Sequence, residues 1–265
     1  MEGISIRGIS QAFGAVGDER RVVALEDATL DIPAGELVCL IGPSGCGKSS
    51  LLDIIAGLAK PVAGSVTIDG EPVRGPLPKR VSFVFQENAL FPWLTVYDNI
   101  LAGLAFQGAP KDERRPRADE ALTAVGLEAF RAHYPRQLSG GMKQRAQLAR
   151  ALALQTEILL MDEPFAALDE QTRLVLGEDL SVQLSRTRKT IVFVTHSLVE
   201  AVFLADRIAV FTARPGRIKT VLSVDEPHPR APSFMTSPKL AELRNTLYEL
   251  LHDEARKAME MGAEV

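Results

Sequence analysis

The sequence predicts an α/β chain with a parallel-rich sheet, an antiparallel β part at its N-terminus, and a helical block inserted between strands. Three observations predict it. Residues 37–41, 158–161 and 190–195 are short apolar runs, the pattern of strands covered on both faces. Residues 4–9 and 23–32 alternate apolar and polar, as half-buried strands do. Residues 95–155 carry helix-period segments at 95–106, 112–125 and 140–154, and the strand pattern disappears there.

The remaining elements follow in order. Pro33, Ala34 and Gly35 signal a turn before the run at 37–41. Glycines at 42–47 end that run, and 48–58 has helical spacing at Leu51, Leu52, Ile55 and Leu58, weakened near its end by Gly57. Residues 66–68 and 81–85 read as further strands. After the helical block, strands return at 158–161, 190–195 and 208–211, and Arg214, Pro215 and Gly216 form a turn. Pro227, Pro229, Pro232 and Pro238 mark a linker. Leu240, Leu243, Leu247, Leu250 and Leu251 then lie on one helical stripe. The division expected is 1–225, containing a helical subdomain at about 88–155, and a C-terminal linker and helix at 226–265. That helix is expected to pack back on the core, with dimer contact as the second reading, and its charged part at 252–260 to face solvent.

Composition narrows the functional classes. The chain has 265 residues, 46% hydrophobic and 24% charged, with net charge −4, an ordinary globular balance. A sequence pI near 5.7 and the lack of a basic stripe give a nucleic-acid partner no support. Cys39 and Cys46 are too few and too close for a disulfide scaffold and fit a reducing compartment. The first ten residues lack a basic start followed by an apolar run, so no signal peptide is expected. No stretch approaches the ~18 apolar residues of a membrane span, so work at a membrane would need another chain to hold this one there.

Gly42, Pro43, Ser44, Gly45, Cys46, Gly47, Lys48 and Ser49 fit the pattern G-x-x-x-x-G-K-[ST] between a strand and a helix. Glycines let backbone N–H groups turn in around phosphate oxygens, and the helix that follows at 48–58, with Ser50 in its first turn, adds its positive end. Lys48 would reach the β/γ-phosphates and Ser49 would ligate Mg²⁺. This makes the core a P-loop NTPase fold. The strand at 158–161 runs into Asp162, placed for the Mg²⁺ shell, and Glu163, a candidate general base. Ser139 is a good N-cap before two glycines, Gly140 and Gly141, that let a phosphate approach the first turn of a helix. Cys46 sits at a helix N-terminus, which should lower its thiol pKa and let alkylation block ATP hydrolysis. The alternative is a small filler residue.

These motifs together resemble the ATP-binding subunits of ABC transporters over residues 3–220. The phosphate loop lies at 42–49, the glutamine loop at Gln86, and the signature at Leu138, Ser139, Gly140, Gly141 and Met142, where the family usually has Gln at the fifth place. The acidic strand follows at 158–163, then an Asp loop at Ala167, Leu168 and Asp169, and a switch histidine at His196. The resemblance implies a head-to-tail dimer with each ATP between the phosphate loop of one subunit and the signature of the other. Ser139 and Gly141 would contact the γ-phosphate in trans, Gln86 would touch Mg²⁺ and report to the membrane partner, His196 would hold the γ-phosphate, and Asp169 would cross the dimer interface. The family stacks adenine on an aromatic near the first strand. Phe13 matches by position, and a core phenylalanine is the alternative.

Stretches 90–100, 164–173 and 211–217 are similar to ATPases of bacterial importers for nitrate, taurine and alkanesulfonates. Two transmembrane permease subunits and an extracytoplasmic solute-binding protein are then the implied partners, and the cytoplasmic face of the inner membrane the implied location. Trp93, the only tryptophan, falls where the family meets the membrane subunit. A core contact of the helical block is the alternative. A soluble cassette ATPase acting on ribosomes or DNA is the competing function, disfavoured by a single cassette without sustained heptads.

Overall fold

The computed structural model describes residues 2–14, 21–187 and 189–263. Its strands are β1 (Ile4–Phe13), β2 (Val22–Ile32), β3 (Leu37–Ile41), β4 (Ala63–Ile68), β5 (Glu71–Pro72), β6 (Val81–Val84), β7 (Ile158–Asp162), β8 (Thr190–Val194), β9 (Arg207–Phe211) and β10 (Ile218–Ser223). Its helices are α1 (Lys48–Ile55), α2 (Val96–Gln107), α3 (Lys111–Ala124), α4 (Gly140–Ala153), α5 (Glu170–Thr187), α6 (Leu198–Leu204) and α7 (Pro238–Ala263).

Two sheets form. A four-stranded antiparallel sheet has the order β2-β1-β4-β5, and a six-stranded sheet has the order β10-β9-β3-β8-β7-β6. In the larger sheet β9, β3, β8, β7 and β6 run parallel, and β10 pairs antiparallel on the edge. The unbroken apolar runs have a direct cause. Val38, Leu40, Ile158, Leu160, Val192 and Val194 pack toward α1 and the antiparallel sheet. The intervening Leu37, Cys39, Ile41, Leu159, Met161, Ile191 and Phe193 pack toward the helices on the other face. Successive side chains alternate faces, so a sheet covered twice must be apolar at every position.

α2, α3 and α4 sit between β6 and β7 in the chain, and their buried residues join the same core as α6 and α7. The strand and helix expectations hold to within a few residues. β10, α5 and α6 were not anticipated. β10 buries its side chains only partly, α5 lacks a strong apolar stripe in sequence, and α6 is only 7 residues long and apolar at every position but Glu200, so it shows no helical period.

The segment after β10 packs back on the core, as expected. Leu240 and Leu247 of α7 are buried there, and the Arg230 side chain is buried nearby, donating to the carbonyls of Val202 at 2.7 Å and Ala205 at 2.8 Å. Arg230 thus caps carbonyls at the C-terminal end of α6. The expectation of a solvated 252–260 fails at Glu254, which is only 2% exposed. Periodicity placed a charge on the polar face, but the buried Ala213 N–H and the ammonium groups of Lys219 and Lys257 donate to that position.

Candidate functional site

Strand order assembles the site. β3, β8, β7 and β6 are neighbours and parallel, so their C-terminal ends lie side by side. The phosphate loop follows β3, His196 follows β8, Asp162 and Glu163 close β7, and Gln86 follows β6. A cavity of about 400 Å³ opens here, lined by Phe13, Ser44, Gly45, Gly47, Lys48, Ser49, Ser50, Gln86, Glu163 and His196, with Val22 and Ala24 of β2.

The loop is closely constrained. Gly47 has φ +91°, and a Cβ there would stand 2.5 Å from Leu25 Cγ, so a side chain is excluded. A Cβ on Gly42 would stand 2.8 Å from Phe211 Cβ. Lys48 is buried, and its ammonium donates to the carbonyls of Gly42 and Pro43, both at 2.8 Å. This cation stands at the N-terminus of α1, where the helix dipole adds positive potential.

The carboxylates face it. Burial pushes the Asp162 carboxyl up, and neighbouring Glu163 adds to that. The Ser49 hydroxyl, which donates to it, and the nearby Lys48 and His196 pull the other way. Asp162 Oδ1 is buried without a hydrogen-bond partner. Glu163 holds a left-handed φ of 48°, uncommon for a residue with a side chain, and its N–H donates to Val194 O at 3.0 Å. His196 Nε2 lies 2.7 Å from Glu163 Oε1. Thr195, just before the histidine, donates to Glu200, which also meets Arg173 at 3.3 Å.

Ser139, Gly140 and Gly141 are absent from this cavity's lining, and so is Asp169. Ser139 caps α4, accepting from Met142 N at 3.3 Å, and both Ser139 and Gly140 are exposed. A Cβ on Gly141 would stand 2.7 Å from Leu168 Cδ2, so a side chain there would displace that leucine. Asp169 caps α5 through Thr172, and those bonds hold its carboxyl below the usual range. Sequence reasoning missed Gln144. Its amide accepts from Ala167 N at 2.9 Å and donates to Glu163 O at 3.5 Å, joining α4 to the segment after β7. Its place five residues after Ser139, on the helix that Ser139 caps, was the available signal.

Three open readings resolve. Phe13 is 54% exposed on the cavity rim, so it is not a core residue. Trp93 is 70% exposed, so it is not a core contact either. It forms an aromatic group with Phe91, 5.6 Å between ring centroids, and Phe91 meets the exposed Phe106 at 6.2 Å. Cys46 overturns the reactive-thiol expectation. It is 0% exposed, and burial pushes its thiol up despite nearby Lys48. Desolvation outweighs the helix end because the side chain turns into the core.

With this geometry in place, the chain belongs to the ABC transporter family, whose model matches residues 25–166. Its relatives narrow the class to import ATP-binding proteins. The nitrate import ATP-binding protein NrtD of Synechocystis is 46% identical, covering 84% of this chain and 83% of that protein. The aliphatic sulfonates import ATP-binding protein SsuB of Bacillus licheniformis is 44% identical, covering 91% of each. Among solved structures, a dimeric ATP-binding cassette bound to ADP and Pi superposes with a TM-score of 0.76 at 34% identity, covering 84% of this chain and 99% of that one.

Proposed function

We propose that this chain is the ATP-hydrolysing subunit of a bacterial ABC importer that energises uptake of a small anion such as nitrate, taurine or an alkanesulfonate. One observation carries the reading. The cavity gathers the phosphate loop, Glu163 and His196 from strand ends of one chain, while the signature at 139–141 lies outside it, with Ser139 and Gly140 exposed. A second copy is needed to supply it, and the dimeric relative supports that arrangement.

In this reading ATP phosphates lie on the N–H groups of residues 42–50, with Lys48 neutralising charge, and Phe13 stacks on adenine. Glu163 accepts a proton from the attacking water, and His196, bonded to it at 2.7 Å, orients the carboxylate and holds the γ-phosphate. Ser139, Gly140 and Gly141 of a second copy close over the γ-phosphate, and Asp169 crosses between copies.

Mg²⁺ fits the residues present. The orphaned Asp162 Oδ1, the Ser49 hydroxyl and the Gln86 amide are hard oxygen donors. Among the described residues no group of three His, Cys, Asp or Glu could hold a metal by itself, which suits an ion completed by phosphate oxygens. When bound, Mg²⁺ supplies charge neutralisation of the phosphates.

Residues 1–225 form the catalytic unit, with the helical subdomain at about 88–155 carrying the docking face, and 226–265 form the appended Pro-rich linker and helix. Two permease subunits dock at Trp93, Phe91 and Phe106, an exposed aromatic group of the kind that anchors interfaces. The chain sits peripherally at the cytoplasmic face of the inner membrane and serves a system with an extracytoplasmic solute-binding protein. No helix among the described residues is long and apolar enough to cross a membrane.

Glu163→Gln tests the chemistry and the assembly together. It should retain ATP binding, lose at least about a hundredfold in hydrolysis, and accumulate as a dimer in Mg-ATP by light scattering. A monomer at saturating Mg-ATP would count against the two-copy site. Affinity capture of the dimeric variant from solubilised membranes should recover a multi-spanning permease.

A further inference from the structure

The C-terminal helix contributes nothing to the cavity lining, yet a chain of contacts joins it to the phosphate loop. Glu254 lies seven residues after the buried Leu247, on the same face of α7. Packing alone would not select a carboxylate there. Both its oxygens are engaged: Ala213 N donates to Oε2 at 3.0 Å, and Lys219 Nζ at 2.9 Å and Lys257 Nζ at 3.0 Å donate to Oε1. Burial disfavours the charge, but Lys219, Ala213 N–H and Lys257 outweigh it and hold the carboxyl at about 2.

Ala213 belongs to the turn joining β9 to β10. That turn is closed by Thr212 and Arg217, whose backbones pair at 2.9 Å. Its Gly216 donates to Ala24 O at 2.8 Å and accepts from Glu26 N at 3.0 Å. A Cβ on Gly216 would stand 1.9 Å from Cys46 O, so the turn's backbone presses directly on the phosphate loop. Leu25, held by the same pairing, is the residue that abuts Gly47, and Phe211 abuts Gly42. Both ends of the loop therefore rest on residues tied to this turn.

We infer that Glu254 is a positioning residue for nucleotide binding: through Ala213 it holds the turn against the phosphate loop, so the C-terminal helix sets this cassette's affinity for ATP. The inference rests on the ATP reading of the cavity. Losing Glu254 leaves the Ala213 N–H and Lys257 without their acceptor, leaves Lys219 with only the Leu250 carbonyl at 3.1 Å, and frees one side of the turn. The phosphate cradle then loosens at Cys46, while Glu163 and His196, on β7 and after β8, keep their places.

The test is titration of the full chain with a fluorescent ATP analogue, well below the melting temperature, with steady-state hydrolysis alongside. Glu254→Ala should weaken affinity about tenfold and raise KM similarly, with kcat within about twofold of the wild type. Glu254→Gln, which keeps an acceptor for Ala213 N–H, should recover part of the loss, and it decides the matter if the alanine variant does not fold. Leu247→Ala removes packing from the same helix face without touching the turn. It should lower Tm and leave affinity unchanged. Wild-type affinity in Glu254→Ala, or an equal affinity loss in Leu247→Ala, overturns the inference. Failure of the wild type to bind the analogue overturns the ATP reading itself, and this inference with it.

Discussion

Asn99 is the clamp of the loop that carries the exposed Trp93, and its removal should be read most clearly through that residue. The side chain is 0% exposed in the first turn of α2. Its Oδ1 accepts from Phe91 N at 2.7 Å. Its Nδ2 donates to Thr95 O at 2.9 Å and to Phe91 O and Leu94 O, each at 3.2 Å. One amide therefore ties down the loop 91–95 that carries Trp93. Nδ2 has two hydrogens for three acceptors, so the side chain makes the equivalent of three hydrogen bonds. At a net ~1 kcal/mol each, Asn99→Leu should cost about 3 kcal/mol. For a chain of this size that corresponds to a fall in Tm of roughly 6–12 °C. Because Trp93 is the only tryptophan, its fluorescence reports this loop alone. Urea unfolding should give the stability loss, and Trp93 anisotropy in the native protein should drop. ATP hydrolysis by the isolated subunit should change little, while capture of the permease should fail. A loss under about 1 kcal/mol with unchanged anisotropy would refute the clamp.

Other perturbations bear on separate parts of the molecule. Both thiols are buried and pushed up, so iodoacetamide at pH 7.5 should leave Cys39 and Cys46 unlabelled in the native protein and label both after unfolding, by mass spectrometry. Rapid native labelling of Cys46 would contradict the burial. Glu254 is held at about 2, below its usual 4.5, so its stabilisation is complete above about pH 4.5 and is lost as pH falls toward 2. Wild type should therefore exceed Glu254→Gln in stability at pH 7, and the gap should close through that acid window in urea titrations. Burial lowers the Arg230 pKa to about 10, still charged at neutral pH. Arg230→Met leaves the buried carbonyls of Val202 and Ala205 without donors and should cost about 3 kcal/mol, visible by calorimetry.

Local chemistry made much of this molecule legible in advance. The glycines of the phosphate loop are dictated by backbone geometry, as Gly47 at φ +91° against Leu25 shows. The apolar runs of β3, β7 and β8 announced strands covered twice, and Ser139 announced the cap of α4. Each is a property of a few consecutive residues. Gln144 and Asn99 were missed because their partners, Ala167 and Phe91, meet them only after the chain turns back.

Cys46 and Glu254 show the limit most sharply. A helix N-terminus argues for a reactive thiol, and a charged helical stretch argues for solvent exposure. Both arguments are local, and both fail because neighbours distant in sequence decide burial. The sequence by itself determined most of the elements, the phosphate loop and the motifs of the family, because strand pattern, glycine spacing and capping depend on adjacent residues. Tertiary structure alone decided that Glu163 meets His196, that Phe13 and Trp93 stand exposed, and that α7 reaches the phosphate loop through Ala213 and Gly216. Solvation and hydrogen-bond partners are set by which surfaces the fold brings together, and no window of consecutive residues contains that.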